Sequence, residues 1–182
     1  MICSKNEINI QVDQGDVYRY IQFYKSVEML DEEMEVEECK FDYALVLSQS
    51  CDLHREQEKI DVKNEILSVL VVPLFRLEEF KKGTHLSNIG KTCEETSKKL
   101  IERYSKWEHE RYHIIDIDEK NKLKYEISDS FVIDFRYFFT ADISQFSKDN
   151  YICSLESLYR EKVTQRFSNY LARIGLPVSE AE

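Results

Sequence analysis

Phe41-Asp-Tyr-Ala-Leu-Val-Leu-Ser-Gln-Ser-Cys-Asp-Leu53 is the stretch that decides the reading of this chain. Ala44 to Leu47 is a short, uncharged run, which predicts a strand inside a sheet. Ser48, Gln49, Ser50, Cys51 and Asp52 follow at once, before any glycine or proline. Polar groups at the end of a rigid strand have fixed directions, so these five residues form the first candidate binding site.

Upstream, Gly15-Asp16 reads as a turn into a strand over Val17 to Val27. Alternation puts Val17, Ile21 and Phe23 on one face and Tyr18, Tyr20 and Tyr24 on the other. Glu28 to Glu38 then carries seven acids and no base, which predicts a solvated loop joining two strands, or a contact for a basic partner. Downstream, His54 to Lys59 is polar and reads as a loop or short turn. Ile66 to Leu74 is a second apolar, β-branched run, read as a buried strand that stops at Pro73. Arg76 to Lys81 has the composition of a helical turn.

The second half alternates between surface and core. Thr92-Cys-Glu-Glu95 matches a capping box and opens a helix over about 93–107, read as an insertion. Arg111 to Ile117 reads as a strand, Glu119 to Lys122 as a turn, Lys124 to Ser128 as an edge strand, and Phe131 to Phe135 as a further strand that continues or bends through Thr140. From Ser154, read as an N-cap, Leu155, Leu158, Tyr159, Val163, Phe167, Tyr170, Leu171 and Ile174 recur at helical spacing. Gly175 and Pro177 are a stop signal.

These elements describe one domain over residues 1–182, α+β and mainly β: a small bent barrel with a helical insertion and a long C-terminal helix. The 42% hydrophobic content supports a real core, and the 4 glycines and 2 prolines argue against a disordered chain. A start without an apolar signal region, and no run of membrane-spanning length, predict a cytoplasmic protein with no membrane partner. Five cysteines, widely spaced and without a CxxC pair, read there as free thiols. A net charge of −10 argues against nucleic-acid binding through the surface as a whole, while leaving room for a local basic groove.

Gly15-Asp-Val-Tyr, Ala44-Leu-Val-Leu-Ser and Leu70-Val-Val-Pro-Leu74 together resemble the opening of the MazF/PemK-like toxins, SH3-like barrels of which many are sequence-specific ribonucleases. A closer resemblance is to uncharacterised bacterial proteins with a Ser-Gln-(Ser/Thr)-Cys-Asp-Leu strand end and a C-terminal helix motif. The matching residues are Ser48 to Leu53, then Ser154-Leu155, Tyr159-Arg-Glu161, Phe167 and Arg173-Ile-Gly-Leu-Pro177. The resemblance implies a place beside phage-defence and mobile-element genes, and a protein partner encoded nearby. It brings no cofactor and no chemistry. MazF-like enzymes carry an arginine just before the second apolar strand and a Ser/Thr at the end of the next. This chain has Asp42-Tyr43, with Lys40 further back, and Pro73-Leu74-Phe75.

Three functional readings follow. The first is a non-catalytic interaction or regulatory component of an anti-phage defence or toxin–antitoxin-type system, with a homodimer as a further arrangement and RNA as a less favoured partner. The second is an endoribonuclease of altered chemistry, with Arg111 or Arg136 on phosphate and His113 as acid or base, because cleavage through the 2′-hydroxyl needs an acid, a base and a cation. The third is a metal or small-molecule sensor centred on Cys51, with His54 and a distant His85 or Cys93 as further ligands; a nucleophilic Cys51 would instead need His54 or His113 beside it. The bland alternative for Cys51 is a packed thiol at a strand end. Ser48, Gln49 and Ser50 could equally satisfy backbone groups in a tight corner. Arg111 and His113 alternate onto one strand face, either a cationic groove or an exposed sheet face. Arg160, Arg166 and Arg173 on the terminal helix read as a partner or phosphate grip, or as surface ion pairs.

Overall fold

The computed structural model describes residues 2–4, 11–30, 33–57 and 68–173. These hold nine strands: β1 (Ile2–Cys3), β2 (Asp16–Leu30), β3 (Glu33–Val46), β4 (Ser68–Pro73), β5 (Phe75–Arg76), β6 (Tyr112–Ile115), β7 (Phe131–Asp134), β8 (Phe139–Asp142) and β9 (Tyr151–Leu155). The helices are α1 (Ser50–Gln57), α2 (Leu77–Lys81), α3 (Lys98–Ser105), α4 (Glu119–Tyr125) and α5 (Ser157–Leu171). One sheet runs β1-β9-β2-β3-β4-β8 and a second runs β5-β7-β6. Every pairing between these strands is antiparallel. The fold is α+β with two open sheets, and no closed barrel forms among the described residues. None of the described helices is long and apolar enough to cross a membrane.

The Ala44–Leu47 run is uncharged because the large sheet is covered on both faces. Leu45, Leu47 and Val72 join a core with Phe131, Ile133 and Val163. Ala44, Val46, Val69 and Val71 point the other way, into a core with Ile21, Phe41 and Phe139. A strand buried on both sides reads as a continuous apolar run rather than an alternation.

Several elements differ from the sequence reading. The acidic stretch 28–38 is not a loop: its described residues lie in the β2–β3 hairpin, with Glu28 opposite Glu35 and Leu30 opposite Glu33. The face assignment along β2 fails after Val17. Tyr18 and Ile21 share a core that excludes Val17, because Tyr20 adopts φ 61 and the register against β9 shifts between Val17 and Tyr18. A left-handed residue interrupts the two-residue repeat on which the alternation rests. Residues 50–57 are helical rather than a loop, and 119–125 form a helix capped by Asp118, whose side chain accepts from the Asn121 amide. Ser97, not the Thr92 box, caps α3, accepting from the Leu100 amide. Ser154 lies in β9, and α5 begins at Ser157; Leu155 is buried as a strand residue while Leu158 is exposed. The expected stop at Gly175 and Pro177, with Ile174, lies outside the described residues, as do Ile66 and Leu67 at the start of the expected Ile66–Leu74 strand.

Candidate functional site

The Ser48–Asp52 corner is built by two hand-overs. Where β3 leaves β4, the Ser48 hydroxyl accepts from the Leu70 amide at 2.8 Å, and the Leu47 amide donates to the Leu70 carbonyl at 2.8 Å. Ser50 then opens α1, and its hydroxyl accepts from the Gln14 amide at 3.2 Å. The buried Gln14 amide group donates to the Leu47 carbonyl at 3.4 Å and to Thr164 Oγ1, on α5, at 3.0 Å. The Gln49 carbonyl accepts from the Asp52 and Leu53 amides, the first turn of α1. Ser48 and Ser50 therefore satisfy backbone donors rather than facing a ligand.

Cys51 is exposed on that first turn, its thiol 3.6 Å from Gln49 Oε1 and 3.8 Å from Asp52 Oδ1. His54 falls in α1, and its side chain lies outside the described residues. His85 is buried against the rings of Phe75 and Phe80, at 5.1 and 4.7 Å, and burial lowers its pKa to about 4. Among the described residues, no three His, Cys, Asp or Glu side chains gather in a way that could hold a metal.

The corner meets the C-terminal motif at the turn Gln14-Gly15-Asp16. The Gly15 amide donates to the Val46 carbonyl and its carbonyl accepts from the Leu155 amide. The Ser154 hydroxyl donates to Asp16 Oδ1 at 2.7 Å, and Tyr18 donates to Oδ2 at 3.3 Å. Burial beside that carboxylate raises the Tyr18 pKa. Arg160 packs over Gly15 and lies 3.5 Å from Glu161. Two motifs about a hundred residues apart in sequence thus close on one turn.

The remaining sequence candidates are held elsewhere. His113 is fully buried in β6 and not on an exposed face. Trp107 stacks on it at 5.9 Å and Tyr159 tilts against it. Neither ring nitrogen has a hydrogen-bond partner among the described residues. Burial, with the Arg166 and Lys162 charges behind it, lowers its pKa to about 3. A histidine held neutral and enclosed is poorly matched to proton transfer near neutral pH. Arg111 lies outside β6 and forks onto Asp134. Arg166 is half-buried and donates to the carbonyls of Trp107, His109 and Tyr112 at 3.2, 2.7 and 3.0 Å. It ties α5 to the segment entering β6, while Arg173 pairs with Glu110. In place of an arginine grip on one helix face, Arg166 is an internal tie and Arg173 an exposed ion pair beyond the end of α5.

The sequence reading missed a cleft around Tyr43. Two adjoining cavities of about 270 and 260 Å³ share Asp42, Tyr43 and Arg76. The buried Tyr43 ring has the Arg76 guanidinium at 5.6 Å and the Arg19 guanidinium at 5.9 Å from its centroid. Arg76 pairs with Asp42 and with Glu79, each at 2.9 Å. Arg19 donates to the Glu126 carbonyl at 3.1 Å. At the rim, the exposed Tyr20 ring carries Lys40 at 4.9 Å. A non-glycine residue at φ 61 in a strand is strained, and such outliers concentrate at functional surfaces. Asp42 therefore does not replace a guanidinium in isolation: Arg76 brings one to it from β5. The available signal was Asp42-Tyr43 before the decisive strand and Arg76 just after the next, but no local motif links positions so far apart.

No family model matches the chain, and no curated protein matches it.

Proposed function

We propose that this protein is a non-catalytic interaction or regulatory component of a bacterial anti-phage defence or toxin–antitoxin-type system, acting in the cytoplasm on a protein partner encoded nearby. The observation that carries the reading is the Arg19–Tyr43–Arg76 cleft. Its open, concave face presents aromatic rings, guanidiniums and carboxylates, which is the composition of a recognition surface. The residues first considered for chemistry point the same way: His113 is enclosed, and Ser48 and Ser50 hold the backbone. The defence context rests on the resemblance carried by Ser48–Leu53 and the α5 motif, and the meeting of those motifs at Gly15 gives them a shared structural reason. The β2–β3–β4 meander, bent by the irregularities in β2, supports reading the framework as an opened relative of the SH3-like, MazF/PemK-like barrel.

The test is a binding measurement between the purified chain and the products of the adjacent genes, beside an RNA cleavage assay at low salt. The reading expects a complex weakened at least about tenfold by Arg19→Glu or Tyr20→Ala, the loss typical of an anchoring side chain, and intact RNA. RNA cleavage that Arg111→Ala or His113→Ala abolishes would overturn it in favour of the altered ribonuclease. Stoichiometric zinc lost with Cys51→Ala would overturn it in favour of the sensor.

A further inference from the structure

Asp134 is fully buried at the end of β7, and two arginines share it. Arg111 places Nε 3.0 Å from Oδ1 and Nη2 2.8 Å from Oδ2. Arg136, in the 3₁₀ turn after β7, places Nε 3.3 Å from both oxygens and Nη2 3.0 Å from Oδ2. Its backbone amide donates to Oδ1 as well, at 3.1 Å. One guanidinium neutralises a carboxylate, so the second leaves an excess of positive charge. Packing alone does not account for the cluster, since an apolar trio of similar volume would avoid the desolvation cost.

Both guanidiniums reach solvent: the side chains are 23% and 41% exposed. Among the described residues, neither pairs with a second carboxylate, and beyond Asp134 the Arg111 side chain also meets Tyr112. Lys91 is exposed, pairs with no described carboxylate, and lies 5.9 Å from the Tyr137 ring centroid. The Arg136 guanidinium is 5.3 Å from the same centroid, so both cations border the Tyr137 ring. Arg111 is held over the Tyr112 ring at 4.4 Å. Three cations against one carboxylate leave a net charge of about +2, and buried Asp134 fixes the direction of both forks.

We propose that Arg111, Arg136 and Lys91 bind a dianionic phosphate group, free or as a monoester, with Asp134 as the positioning residue. With Nε and Nη2 of each arginine turned to Asp134, the remaining edge of each planar guanidinium, Nη1 and the second Nη2 hydrogen, is the part left to meet phosphate oxygens. A monoester carries about −1.5 to −2 at neutral pH, close to the charge left over at this cluster. A phosphodiester or a simple carboxylate carries only one charge and would leave the site half-compensated. The site shares no residue with the Tyr43 cleft and does not depend on the function proposed above.

The experiment titrates the full chain at pH 7 and constant ionic strength with inorganic phosphate, O-phosphoserine, a dinucleotide phosphodiester and acetate. The readout is the arginine Nε–H signals in NMR spectra. The expected result is a saturable shift of the Arg111 and Arg136 signals with the two dianions. Arg136→Ala should weaken binding at least about tenfold, and Arg136→Lys less, because charge survives while the fork is lost. Arg173→Ala, which touches a different acid, should bind as the parent does. Inorganic phosphate binding as tightly as O-phosphoserine assigns the site to the free ion; weaker binding assigns it to the ester. The proposal is overturned by the absence of a saturable shift, by Arg136→Ala binding like the parent, or by a diester or acetate binding as tightly as the dianions.

Discussion

Arg160 lies across Gly15: a Cβ built on that glycine would sit 2.9 Å from both Cγ and Cδ of the arginine. Gly15 also has φ 85, a conformation that disfavours any side chain. Gly15→Ala is therefore expected to destabilise the protein by about 1–3 kcal/mol, the usual cost of a strained backbone position. Urea unfolding measures it. Adding Arg160→Ala should recover only the steric part, since the dihedral strain remains. Full recovery would mean that the turn relaxes freely, and that the two sequence motifs are not locked together there.

That contact explains what was legible in the sequence and what was not. The strand at Ala44–Leu47 and the Val163–Phe167 stripe could be read because burial on a sheet or helix face leaves a local periodic record. The pairing of the Ser48–Leu53 and α5 motifs could be noticed, but its cause lies in the intervening Gln14–Asp16 turn. The switch of faces along β2 depends on a left-handed Tyr20, which no hydrophobic pattern encodes. The 28–38 hairpin defeats the reading because its register sets Glu28 opposite Glu35, and a pairing of two acidic positions is one that sequence reasoning normally disfavours. The Tyr43 cleft joins Arg19 to Arg76 through tertiary structure alone.

The corner residues are expected to separate into structural and dispensable groups. Ser48→Ala removes the acceptor of the Leu70 amide at a half-buried site and should cost about 1 kcal/mol. Cys51→Ala removes an exposed thiol with only long, weak contacts and should change stability by less than about 0.5 kcal/mol. Thiol titration of the native protein provides a second check. Cys3, Cys51 and Cys93 are exposed and should react quickly, while buried Cys39 and Cys153 should wait for unfolding. Burial raises the Cys153 pKa to about 12, which further lowers its thiolate fraction. Rapid native labelling of all five would contradict this packing.

The two arginines on Asp134 are expected to differ in what they contribute to stability. Arg111→Leu leaves a fully buried carboxylate with the more exposed partner and should cost about 3 kcal/mol, as expected for breaking a buried pair. Arg136→Ala leaves the Arg111 fork intact and should cost about 1 kcal/mol or less. Denaturant midpoints of the two variants against the parent give the order. Equal losses would show that the carboxylate does not distinguish its partners.

His113 sets a pH dependence whose sign can be worked out. Its folded pKa of about 3 lies below the ordinary value of 6.5, so the unfolded chain binds a proton below 6.5 that the folded chain refuses. Stability contributed by the neutral, buried ring is therefore complete above pH 6.5. It falls by about 1.4 kcal/mol per pH unit as pH drops through the window from 6.5 to 3. His85, lowered to about 4, acts in the same direction. Asp134 opposes them: burial raises its pKa to about 6 from 3.8, so the folded chain holds a proton there that the unfolded chain releases, and stability rises as pH falls across that interval. His113→Phe removes one of the two histidine contributions and two unpartnered ring nitrogens. At pH 7 it should be neutral or stabilising by about 1 kcal/mol, because a buried unsatisfied polar group is lost. Relative to the parent, the variant should gain about 1.4 kcal/mol per unit as the pH is lowered from 6 to 4. Urea unfolding of both proteins at pH 7, 6, 5 and 4 measures the difference directly, without interference from the carboxylates they share. A difference that stays constant across those pH values would mean that His113 is reached by solvent or paired, contrary to its enclosure between Trp107 and Tyr159.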